Sequence, residues 1–186
     1  MSLTPTTPIP LGFTAPDFNL PDVTSEQNIR LSDLKGEHGL VVMFICNHCP
    51  YVIHVREEMV KIAKDYQSKG IGFVAISSND VENYPEDGPT YMKAFAHELS
   101  FSFPYLYDAT QEVAKAYHAA CTPDFSVFDA DLSCVYRGRM DGSTPGNRVP
   151  VTGEDLRNVL DNIVSGNEIT KEQLPSMGCN IKWKSQ

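Results

Sequence analysis

The stretch GLVVMFICNHCPYV, residues 39–52, decides how this chain is read. Its first half is apolar and rich in valine, bounded by Gly39 and Cys46, as expected of a strand buried on both faces. At Pro50 the period changes to that of a helix. Val52, Val55, Met59, Ile62 and Tyr66 fall on one face, with Lys, Asp and Glu on the other. Proline suits the first helical position, and Gly70 suits the end. A second apolar run, IGFVAIS (71–77), follows. Strand, helix, strand in that order implies a parallel pair joined by a right-handed crossover. Cys49 then stands at the N-cap of the first helix. There the unpaired N–H groups and the helix dipole favour a thiolate, which is the nucleophilic form of cysteine.

Outward from this unit, DFNL (17–20) and NIRL (28–31) read as a hairpin. LSDLKG supplies a helical turn ending at Gly36, and a polar loop, SNDVENYPEDG, precedes a helix starting at Pro89. FPYLYD (103–108) predicts a short strand, after which Asp108 or Thr110 is expected to cap a helix running to His118. Residues 124–128 and 134–139 predict an antiparallel pair turning at Asp129–Leu132, and Thr152 is expected to cap a last helix that Gly166 ends. Residues 1–13 read as an extended arm, 14–166 as one domain, and 167–186 as an irregular tail packed on or near it. The order is βαβ followed by ββα, which is that of the thioredoxin fold with an N-terminal hairpin and one inserted helix.

The chain has 186 residues, 41% hydrophobic and 21% charged, enough for one globular domain with a sizeable core. A net charge of −9 argues against nucleic acid or an acidic membrane surface as partner. The proline-broken start, MSLTPTTPIPLGFTAPDF, reads as neither a signal peptide nor a membrane span, so a cytoplasmic location is expected. Five irregularly spaced cysteines do not make a secreted disulfide scaffold. In a reducing compartment, close cysteines point to catalysis or metal binding.

Two further stretches carry a resemblance. TAPDFNLPDV (14–23) with IRLSDLKGEHGLVVMFICNHCP (29–50), and AACTPDFSVFDADLSCVYRG (119–138), resemble the thioredoxin-like redoxins, especially the branch shared by peroxiredoxins and cytochrome-maturation thioredoxins. PSMGCNIKWK (175–184) resembles the end of a bacterial subfamily of thioredoxin-family proteins. The resemblance implies a central mixed sheet flanked by helices and an antioxidant or disulfide-exchange activity without a cofactor. In thioredoxins the nucleophilic cysteine lies five residues beyond the strand's aromatic residue. Counting from Phe44 gives Cys49, and the usual second cysteine falls at Val52. Cys46 is therefore the candidate resolving thiol, working from the upstream side. A Cys46–Cys49 disulfide needs Cα atoms within about 7 Å, whereas an extended 46–49 segment holds them about 10 Å apart.

The resemblance also places a cis proline at Pro123, with Thr122 presenting backbone groups to a substrate beside Pro50. His48 adjoins Cys49 and is grouped with Thr122, Pro123 and Pro50 as substrate-binding; it reads either as a group that lowers the thiol's pKa when protonated or as an ordinary exposed loop histidine. Cys121 lies near the same cleft, as a third redox partner or a small packed residue. Cys134 reads as packing. Cys179 is placed to resolve a Cys49 sulfenic acid, as C-terminal cysteines do in some peroxiredoxins. The buried acid that assists thioredoxins would fall at Met43, and Glu57 and Glu58 read as solvated.

Three functions follow. The first is a thiol–disulfide oxidoreductase using Cys49 and Cys46 on a protein or small-molecule disulfide, with an unspecified reductase. The second is a thiol peroxidase acting on peroxide. Its motif, P-x-x-x-[TS]-x-x-C, would need proline at 42 and a hydroxyl at 46, where Val42 and Cys46 stand. The third is a Cu(I) or zinc module, since NHCPYV (47–52) resembles the Sco-type copper-chaperone motif up to Ile53, and Cys46, Cys49 and His48 or His54 are soft donors. A homodimer is left open.

Overall fold

The apolar run ahead of the cysteines forms a strand with both faces buried, and the rest of the fold is laid against it. The computed structural model describes residues 2–185; Met1 of the arm and Gln186 of the tail lie outside the described residues. In chain order the elements are β1 (Leu3–Pro5), β2 (Asn19–Pro21), β3 (Asn28–Arg30), β4 (Gly39–Phe44), α1 (Pro50–Gln67), β5 (Ile71–Ser77), α2 (Pro89–Glu98), β6 (Tyr105–Tyr107), α3 (Glu112–Ala116), β7 (Cys121–Thr122), β8 (Asp124–Asp129), β9 (Cys134–Gly138), α4 (Glu154–Ser165) and β10 (Met177–Asn180). Short 3-10 turns cover Leu31–Asp33 and Pro85–Asp87.

Five strands make the central sheet in the order β6-β5-β4-β8-β9. β4, β5 and β6 run parallel, while β8 is antiparallel to both β4 and β9. Successive side chains of β4 point to opposite faces, as the pleat requires. Val41, Met43 and Ile45 pack with Val52, Met59 and Ile62 of α1, Met92 of α2 and Leu160 of α4. Leu40, Val42 and Phe44 pack with Ala114, Tyr117 and the N-terminal segment through Phe18. The mixed sheet with a helix layer on each side is the architecture expected from the βαβ and ββα halves. Among the described residues no helix is long and apolar enough to cross a membrane.

Three expectations change. The residue preceding α3 is Gln111 in the left-handed region (φ 66°), not Asp108 or Thr110, yet both side chains still serve the helix start: Asp108 Oδ2 accepts the Ala114 N–H (2.9 Å) along with Ser78 Oγ (2.8 Å), and Thr110 Oγ1 accepts the Glu112 N–H (3.3 Å). Helix α4 starts after Gly153 (φ 68°) rather than Thr152. Asp141 Oδ2 takes the N–H groups of Thr152 (2.8 Å) and Gly153 (2.6 Å), fixing a turn that suits glycine. The tail is not wholly irregular. β10 pairs antiparallel with β1 on one side and β7 on the other, so arm and tail form a second sheet, β1-β10-β7. Its strands have two to four residues, too short for a periodic signal.

Candidate active site

The segment between β4 and α1 bends because one buried carboxylate gathers its amides. Asp87, fully buried in the turn before α2, accepts from the N–H of Asn47 (2.8 Å) and of His48 (3.3 Å) on Oδ1. The Asn47 side chain donates to Glu86 O (2.8 Å) and accepts from the Tyr105 hydroxyl (3.1 Å). With the bend pinned, the Cys46 thiol turns back toward Cys49 and hydrogen-bonds Thr122 Oγ1 (3.4 Å). Cys46 is 1% exposed and Cys49 not at all.

Cys49 is the N-cap of α1, and the first turn contains no acidic side chain to compete with it for the helix N-terminus. Its Sγ lies 2.8 Å from Cys179 Sγ and 3.2 Å from Thr122 O. Hydrogen bonding from Cys46 pulls the Cys49 thiol down to about 4, against the opposing effect of burial; Cys179 and the Val52 N–H add to the pull. The same hydrogen bond, together with burial, pushes Cys46 well above the ordinary thiol range. Burial and the contact with Cys49 push Cys179 up to about 12. One thiolate is thus held between two thiols. Titration followed by thiolate ultraviolet absorbance is expected to show a single thiolate with a midpoint near 4. Cys46→Ala should move that midpoint upward by removing the largest stabilising contact; an unchanged midpoint would assign the low value to Cys179 and the helix N-terminus instead.

Opposite Cys49, the Thr122–Pro123 peptide is cis. Cys179 pairs with Thr122 and Asn180 with Cys121 in the β10–β7 ladder. Ser176 Oγ donates to Pro123 O (2.7 Å). A Cβ on Gly178 would run into Thr122 O, so only glycine lets the tail lie this flat on the proline segment. A cavity of about 80 Å³ opens beside Pro123 between Tyr51, Val55, Met140 and Met177.

His48 is not an exposed loop residue. Its side chain is 14% exposed, its Nδ1 lies 2.6 Å from Asp87 Oδ2, and its ring stacks on Tyr84 at 5.5 Å. Cys46 Sγ, a His48 ring nitrogen and an Asp87 oxygen all lie within 4.8 Å of one another. As metal donors these groups fit poorly. Both Asp87 oxygens already accept hydrogen bonds, Oδ2 also from Asn79 Nδ2 (2.7 Å). His54 sits elsewhere, bonded to Ser143 Oγ (2.7 Å). Pro50 is the exposed first residue of α1. Cys121 is buried beside β10, with its Sγ 3.9 Å from Pro123 O and its thiol pushed up by burial. Cys134 is packed against Tyr136 O. Glu58 is not solvated; it is 15% exposed and paired with Arg157 at 2.6 Å.

The family described as AhpC/TSA matches residues 11–137, which include Cys46, Cys49, Pro123 and β4 to β8. The chain belongs to the AhpC/TSA family. As a member of that redoxin family it is of a thiol–disulfide oxidoreductase or peroxidase type. A thiol–disulfide oxidoreductase ResA of Geobacillus thermodenitrificans is 25% identical over 160 residues, covering 84% of this chain and 80% of that protein. An uncharacterized conserved protein of Geobacillus kaustophilus has a solved structure with TM-score 0.98 and 55% identity, covering 100% of this chain and 98% of that one. A hypothetical protein of Sinorhizobium meliloti matches at TM-score 0.96 and 44% identity, over 98% and 100% of the two chains. Peroxidoxin BcpB of Mycobacterium tuberculosis shares the thioredoxin-like fold at TM-score 0.61 and 19% identity, over 85% and 97%.

In this AhpC/TSA chain the residues of the candidate site least visible in the sequence are Asp87, Asn79 and Tyr84. They come from the polar stretch SNDVENYPEDG, where nothing periodic marks an inward side chain. The two prolines at 85 and 89 are the one local sign of a fixed backbone there.

Proposed function

We propose that this chain is a thiol–disulfide oxidoreductase in which Cys49 attacks and Cys46 resolves. One observation carries the reading. The chain's own tail strand lies across the cis-proline segment, pairs Cys179 with Thr122, and presents a cysteine sulfur 2.8 Å from Cys49. A substrate strand laid in the same place would offer its disulfide to Cys49 in the same way, with main-chain hydrogen bonds holding it. Because Cys49 is wholly buried under the tail, such a strand must displace β10. Cys179 then leaves with the tail, and Cys46 is the thiol still in contact with Cys49. Cys49 thiolate attacks one sulfur of the substrate and releases the other as a thiolate; Cys46 then attacks Cys49 and releases the remaining substrate thiolate.

The same contact favours a second reading when the tail stays in place. A hydroperoxide would oxidise Cys49 to the sulfenic acid with loss of an alcohol or water, and Cys179 would condense with it, releasing water. The two are separated by differential alkylation and disulfide mapping. After challenge with an oxidised peptide, a Cys46–Cys49 bond is expected. A Cys49–Cys179 bond formed by hydroperoxide, with no Cys46–Cys49 bond under either challenge, would replace the first reading by the second. Cys49 left unmodified while Cys46 reacts would overturn both.

A further inference from the structure

For Cys46 to resolve anything, its thiol must lose a proton, and its surroundings resist that. It is buried beside the Cys49 sulfur, with Thr122 Oγ1 3.4 Å from its own. The strand offers no acid at Met43, which faces the core. Thr122 Oγ1 shares a hydrogen bond with the thiol but is no base at neutral pH; the basic groups grouped with Cys46, within 4.8 Å, are His48 and Asp87. We propose that His48, held by Asp87, is the base that takes the proton from Cys46. The inference rests on Cys49 being the group first loaded by substrate.

The arrangement is that of an oriented imidazole. Asp87 Oδ2 accepts the proton on Nδ1 at 2.6 Å, which leaves the Nε2 lone pair available. That Nε2 is buried and has no hydrogen-bond partner among the described residues. Tyr84 stacks on the ring and fixes its plane, and Asn79 Nδ2 (2.7 Å) fixes the carboxylate in turn. The charged and titratable groups facing His48 are Asp87 and Glu86 (3.8 Å from Nδ1), Tyr84 with Lys182 over its ring, and Cys46. A His48 ring nitrogen lies within 4.8 Å of Cys46 Sγ, a gap that one water or a turn of the thiol and ring closes; such contacts commonly tighten only in the reacting complex.

The step balances without an outside oxidant. Cys49 carries a mixed disulfide with a substrate thiol. The Cys46 proton passes to the His48–Asp87 pair. The Cys46 thiolate attacks Cys49 Sγ, the Cys46–Cys49 bond forms, and the bond to the substrate sulfur breaks. The substrate leaves as a thiolate with the electron pair of that bond.

The test loads thionitrobenzoate onto the full chain in a Cys179→Ser background, so that only Cys46 stands beside the loaded sulfur. Mass spectrometry first locates the label. A label on a cysteine other than Cys49 would overturn the nucleophile assignment on which the proposal rests. With the label on Cys49, release of the coloured thiolate reads the Cys46 step alone. His48→Gln is expected to slow release on the order of 10²-fold near neutral pH, with the deficit shrinking as pH rises toward the range of the Cys46 thiol itself. Added imidazole should restore release in His48→Ala. Release as fast in His48→Gln as with histidine, a deficit constant at every pH, or no rescue by imidazole in a His48→Ala protein that melts as a folded domain would each overturn the role of His48 as base.

Discussion

Cys49→Ser is expected to abolish turnover of both disulfides and hydroperoxides, by on the order of 10³-fold or more, while leaving the protein folded. The loss is large because no other sulfur can take the role. Cys46, Cys121, Cys134 and Cys179 are all pushed upward, each by burial and all but Cys134 also by Cys49 itself. A thiol kept protonated at neutral pH is a poor nucleophile. The fold should survive because serine is smaller than cysteine, and its hydroxyl finds an acceptor in Thr122 O, now 3.2 Å from the sulfur. Turnover with dithiothreitol as reductant, measured beside a thermal melt, separates the two effects. Residual activity within tenfold of the native protein would show that another cysteine starts the reaction. Cys46→Ser and Cys179→Ser give the complementary result. The first should stall disulfide exchange at the mixed disulfide, whereas the second should spare it.

How much of this was legible in the sequence depends on the range over which each residue acts. The strand Gly39–Phe44 and the helix Pro50–Gln67 were readable because burial on both faces and a single apolar face leave periods of their own. Cys49 at the helix N-cap follows from Pro50 alone. The bend that returns Cys46 to Cys49 was not legible. It depends on Asp87, some forty residues on, whose carboxylate reaches Asn47 and His48 only once α2 is docked. For the same reason His48 reads locally as an exposed histidine and is in fact a mostly buried, paired one. The tail strand was hidden too. Met177–Asn180 has no alternation to show, and what makes it a strand is the pairing of Cys179 with Thr122 on one side and Leu3 on the other. A resolving role for Cys179 was conceivable from its place in the chain. Its sulfur lying 2.8 Å from Cys49 is a property of the second sheet.

That second sheet hangs on one buried ion pair, and breaking it is the second large effect. Asp124 directly follows the cis proline and is 1% exposed. It accepts from Arg137 Nη2 (2.9 Å) and from Thr6 Oγ1 (3.2 Å), while Thr6 Oγ1 also receives the Ser176 N–H (3.0 Å). Arg137 in turn donates to Tyr117 O (2.6 Å) and His118 O (2.9 Å) at the end of α3. The arm, the tail, β8 and β9 therefore meet at two side chains. Arg137→Met keeps the bulk but leaves a carboxylate buried without its cation, and should cost about 3–5 kcal/mol. Burial already pushes Asp124 up to about 6, with Arg137 pulling the other way. Without Arg137 the carboxyl moves higher still. A folded-state pKa raised above the unfolded one means stability that is present at low pH and lost as pH rises through the folded value. The deficit of Arg137→Met relative to the native protein should therefore widen between pH 5 and pH 8 in denaturant unfolding. Adding Asp124→Asn should recover part of the loss and flatten that pH dependence, because it removes the orphaned charge rather than restoring a contact. A deficit below about 1 kcal/mol, or one that narrows as pH rises, would show that Asp124 is held neutral in the native fold and that the arm and tail are fastened by their strand pairing alone.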